Sequence, residues 1–80
     1  GKINLLNVLE CAQIQLSEDI QTLGYIQDEY LMMEVPTGDF QYKYKEIQKK
    51  IMTVLKSMIY NRNYMKEYIE KARQDNEGGL

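Results

Sequence analysis

Eighty residues with a net charge of −2 make one small domain and give no strong pull toward polyanions. The single cysteine, Cys11, excludes an internal disulfide, and the lack of any histidine excludes the usual Cys–His zinc pairings and imidazole acid–base chemistry. A chain this short buries a small share of its surface as a monomer, so oligomerisation is the remaining route to a firm fold.

The first element predicted is a helix over about residues 3–33. Steps alternating by four and three pick out Leu5, Leu9, Ala12, Leu16, Asp19, Leu23, Ile26, Tyr30 and Met33, all apolar or aromatic except Asp19. A strand would need strict alternation, which the segment lacks. Gly24 lies inside this helix, as a tolerated surface glycine or as a point where another helix comes close. Cys11 reads as a small packed apolar residue, and a lone cysteine fits a reducing compartment.

Next comes a turn at about residues 35–39, within Glu34-Val35-Pro36-Thr37-Gly38-Asp39. Pro36 disfavours helix at Val35, Gly38 adds freedom, and Thr37 or Asp39 can cap the next helix. That second helix is predicted over about 39–74, with the same stepping through Phe40, Tyr44, Ile47, Ile51, Val54, Met58, Asn61, Met65, Tyr68 and Ala72. Asn61 is the exception there. A flexible tail, 75–80, is expected beyond it. The fold class is therefore all-α: an antiparallel hairpin of two long helices in a single domain, 1–80.

Each helix carries more apolar surface than one stripe. Leu6, Ile20, Met52, Leu55, Ile59 and Ile69 lie off or beside the seams, and a lone hairpin is expected to leave them wet. They are the expected interface of a homodimeric four-helix bundle, with Asp19 and Asn61 as the polar positions that set its register. Charge agrees with this arrangement. Residues 1–34 sum to −5 and residues 40–73 to +6, so an acidic helix beside a basic one is favoured over like beside like.

The carboxylate neighbours Glu18-Asp19 and Asp28-Glu29 point in different directions on a helix and share no site. Nucleotide loops, nucleophile elbows and metal motifs are absent, so no enzyme, cofactor or metal is expected. Tyr30, Tyr44 and Tyr68 read as core-edge residues, and Met32, Met33, Met52, Met58 and Met65 as core filling or a groove for a second protein's helix. The apolar runs fall well short of the roughly 20 residues of a membrane span. No basic leader with an apolar core precedes the first helix, and a cytoplasmic location is the expectation.

Two hairpin proteins of other kinds remain as alternatives to a protein-binding adaptor, chaperone or regulator. The basic residues Lys43, Lys45, Lys49, Lys50, Lys56, Arg62, Lys66, Lys71 and Arg73, interleaved with Tyr42, Tyr60 and Tyr64, would suit nucleic acid, but the acidic whole argues against that partner. In shape alone, two long helices in under 100 residues resemble small substrates of specialised secretion systems, which would imply a toxin or a second helical protein as partner. The WXG type of these carries a Trp-x-Gly turn, whereas this chain has no tryptophan and turns at Val35-Pro36-Thr37-Gly38-Asp39.

Overall fold

The computed structural model describes residues 5–78, as two helices that pack side by side: α1 (Leu5–Met32) and α2 (Asp39–Gly78). The predicted all-α hairpin is the observed fold. Its rod measures 65 × 18 × 17 Å, with a radius of gyration of 18.4 Å, against about 11–12 Å for a globular domain of this length.

α1 ends where the sequence says it must. Met33 N–H reaches back to the Tyr30 carbonyl at 3.3 Å, closing a tight final turn before the segment leading into Pro36 leaves the helical region. The connection spans residues 33–38. Gly38, with φ at +72°, occupies the left-handed region that a side chain resists, and its carbonyl accepts the Gln41 N–H at 3.1 Å. Gly38 thus takes the cap position, not Thr37 or Asp39. Asp39 comes next, in the first turn, where a carboxylate suits the helix's positive end.

From Asp39 to Glu77 no glycine or proline interrupts α2, and Lys, Gln, Glu and Met supply much of its length. The helix runs through Gly78, four residues past the expected boundary, because Asp75 and Asn76 weaken a helix without breaking it and Glu77 suits one. The expected start of the first helix at residue 3, and the last two residues of the expected tail, lie outside the described residues.

The contact lines differ from the expected seams. On α1 every residue of the series Leu6, Glu10, Gln13, Ser17, Ile20, Gly24, Gln27 is buried or half-buried. On α2 the series is Tyr44, Gln48, Ile51, Leu55, Met58, Arg62, Met65, Ile69, Ala72. Both step by four and three, so the heptad character is as expected. The first line lies one residue from the expected one, of which Leu9, Ala12, Leu16, Leu23 and Tyr30 are half-buried too; the second keeps alternate members and exchanges the rest. Leu5, Ile26, Met33, Phe40, Ile47, Val54 and Tyr68 are consequently exposed. The core is thin: among the described residues only Tyr44 at 8% and Ile69 at 6% exposure are buried hydrophobics, joined by Gln27 at 3%.

A candidate interaction face

Both ends of the hairpin are fastened by side chains. Beside the turn, Tyr30 and Tyr44 stack with centroids 4.6 Å apart and planes 14° from parallel. Each phenol donates to the other residue's carbonyl, Tyr30 to Tyr44 at 2.9 Å and Tyr44 to Tyr30 at 2.8 Å. The Tyr30 carbonyl belongs to the last turn of α1, where carbonyls lack the amide four residues on, so the Tyr44 hydroxyl serves as a cap supplied by the opposite helix. Partial burial pushes the Tyr30 phenol above its ordinary value, and the neighbouring Tyr44 adds to the shift. At the open end the Arg73 guanidinium donates to the Glu10 carboxylate, an exposed pair that fixes alignment more than it adds stability.

These fastenings set which sides of the two helices look the same way. Near the open end, one groove is lined by Leu5 and Leu9 of α1 with Tyr64, Met65 and Tyr68 of α2. On the other side of the contact line, a second groove is lined by Glu10, Gln13, Lys66, Ile69, Glu70 and Arg73. Stepping by sevens continues the first groove along the rod. Leu9 leads to Leu16, Leu23 and Tyr30; Leu5 leads to Ala12, Asp19, Ile26 and Met33; Tyr68 leads back to Asn61, Val54, Ile47 and Phe40. One long face is therefore largely apolar, broken at Asp19 and Asn61, with Tyr64 leading back to Ser57, Lys50 and Lys43 along its edge. Ile26, Phe40, Ile47 and Val54 on it are 46–69% exposed. The opposite face is mixed, with Ile14, Met52 and Ile59 among Gln21, Asp28, Lys45, Lys66 and Arg73.

The residues expected at a dimer interface fall elsewhere. Leu6, Ile20, Leu55 and Ile69 sit on the contact lines of the hairpin itself, and Met52 and Ile59 are half-buried beside them. None is left wet. The expected seam is split: Leu9, Ala12, Leu16, Leu23, Tyr30, Tyr44, Ile51, Met58, Met65 and Ala72 are buried or half-buried, its other members face out, and the stripe expected outside lies within. Asp19 and Asn61 are both exposed and form the two polar breaks in the apolar face, with the Asp19 carboxylate accepting from the Gln15 amide at 3.1 Å.

Other readings are corrected as well. Cys11 is exposed, not packed, because it lies on the outer side of α1. A Cβ on Gly24 would meet nothing within 4 Å, so no close approach of α2 explains that glycine. Met32 and Met33 are exposed, while Met52, Met58 and Met65 are half-buried. Gln27, outside both expected seams, is buried, and neither atom of its amide has a hydrogen-bond partner.

Among the described residues no three acidic or thiol groups converge as a metal site, and no helix is long and apolar enough to cross a membrane. The basic residues of α2 are exposed except Arg62, which is half-buried on the contact line. No protein-family model matches this chain, and no curated protein or solved structure shows significant similarity to it.

Proposed function

We propose that this protein is a non-enzymatic protein–protein interaction module that works as a homodimeric helical bundle, its apolar face covered by a second copy. The carrying observation is the surface the hairpin leaves uncovered. The chain exposes 6743 Å², against about 5,050 Å² for a folded monomer of its 9.5 kDa mass. Two separate hairpins expose about 13,500 Å², whereas one globular protein of twice the mass exposes about 8,400 Å². The difference, about 5,100 Å², is the upper bound on what pairing two such rods buries, and the excess of about 1,700 Å² per copy already matches the area a stable dimer needs.

The make-up of the contact line supports the same reading. Glu10, Gln13, Ser17 and Gln27 are buried or half-buried alongside Leu9, Leu16 and Leu23, while Leu5, Ile26, Met33, Phe40, Ile47, Val54 and Tyr68 stay exposed. A self-sufficient hairpin would not leave such a row wet, since each large side chain left exposed forgoes about 1.5–3 kcal/mol. In a bundle each helix needs apolar residues toward two neighbours, which is the pattern found. The double substitution Ile47→Ser with Val54→Ser tests this. Both residues are about half exposed, so the wet half of each is worth about 1 kcal/mol per copy when covered. Dimerisation should weaken by about 4 kcal/mol, roughly a thousandfold in Kd by sedimentation velocity, with the helical content of the remaining dimer preserved. Unchanged association would refute the assigned face.

A further inference from the structure

We infer that the two hairpins of the dimer lie with their turns at the same end, so that α1 of each copy packs on α2 of the other. This orientation rests on the homodimer proposed above. Two rods lying side by side can be stacked face to face by a two-fold axis in the interface plane in two ways. An axis along the rod keeps the turns together and sets α1 over the partner's α2. An axis across the rod sends the turns to opposite ends and sets α1 over the partner's α1 and α2 over the partner's α2.

Charge separates the two. α1 carries five acids and no base, whereas α2 has seven bases and one acid between residues 43 and 66. The apolar face shows the same asymmetry, with Asp19 within it and Glu29 along its outer edge on α1, and Lys43, Lys50 and Lys71 along its outer edge on α2. Opposite-end packing sets carboxylate rim on carboxylate rim and lysine rim on lysine rim. Same-end packing sets each against its complement. The tyrosine pair fixes the level. Glu29 adjoins Tyr30 and Lys43 adjoins Tyr44, so an axis along the rod brings Glu29 of one copy level with Lys43 of the other. The same axis keeps every apolar layer at its own height, from Leu5 and Tyr68 to Met33 and Phe40.

The test is a distance between spin labels on a cysteine introduced at Thr37, exposed in the turn, with Cys11→Ser to remove the native thiol. Same-end packing gives a label-to-label distance of about 10–25 Å, the width of two helix layers with their side chains. Opposite-end packing separates the turns by the paired length of α1, 28 residues or about 42 Å, or more. Glu34→Cys, on the other side of the turn, reads the same distance should Thr37→Cys disturb folding. A sedimenting dimer with the long distance overturns the orientation alone, and a monomer overturns the homodimer with it.

Discussion

Removing the Tyr44 hydroxyl is the sharpest test of how the hairpin is closed. Tyr44→Phe keeps the stacked ring and deletes the donor held 2.8 Å from the Tyr30 carbonyl. That carbonyl then keeps only the Met33 amide at 3.3 Å, so the loss falls toward the upper part of the usual 0.5–1.5 kcal/mol for such a bond, about 1–1.5 kcal/mol. Tyr30→Phe deletes the reciprocal donor at 2.9 Å, but the Tyr44 carbonyl lies inside α2 and keeps its place in the helix ladder, so this loss is about 0.5–1 kcal/mol. Urea denaturation followed by far-UV circular dichroism, at one protein concentration, reads both. In thermal melts about 1 kcal/mol corresponds to a fall of about 4–8 °C. Because the Tyr30 phenol is held neutral by partial burial, with Tyr44 adding to the effect, its folded value lies above the ordinary 10.0. The folded state therefore retains this proton more tightly than the unfolded chain. The contribution is complete below pH 10.0 and is lost as pH rises from there through the folded value. Tyr30→Phe should flatten that alkaline decline. Stability unchanged in both variants, or an alkaline decline of the same size without Tyr30, would refute the closure described.

Gly24 and Gly38 should respond in opposite senses. Gly24→Ala adds a methyl in open space within a helix and should raise stability by about 0.5–1 kcal/mol, whereas Gly38→Ala forces a side chain into the left-handed region and should lower it by about 1–2 kcal/mol. Gln27→Leu removes two unpaired polar atoms from the contact line and should stabilise by about 1–3 kcal/mol; a loss of stability in the same melts would show that the amide is bonded in solution.

The hairpin was legible because its signals are local. Pro36 and Gly38 mark the connection, and heptad stepping on either side marks the helices. Which stripe meets the other helix was legible only in part: Leu9, Leu16 and Leu23 with Ile51, Met58 and Met65 of the expected seam are half-buried, and its alternate members are exposed. Counting apolar residues selects the line with most of them, Leu5 through Met33, and that count is blind to whether the apolar line faces the partner helix or a partner chain. Glu10, Gln13, Ser17 and Gln27 look like surface residues in a pattern and become contact residues only in the fold. The tyrosine closure joins residues 14 apart across the turn, so each ring could be placed on its helix but not against the other. Asp19 and Asn61 were recognisable as exceptions in an apolar series, and the structure places both on the exposed apolar face.

The most direct measurement is sedimentation equilibrium of the unmodified protein at micromolar concentration. A mass of about 19 kDa, twice the 9.5 kDa chain, with helical circular dichroism is the outcome expected of the paired hairpin. A fully helical, cooperatively folding species of 9.5 kDa would contradict it, because Ile47, Val54 and the face around them would then be stable in open water.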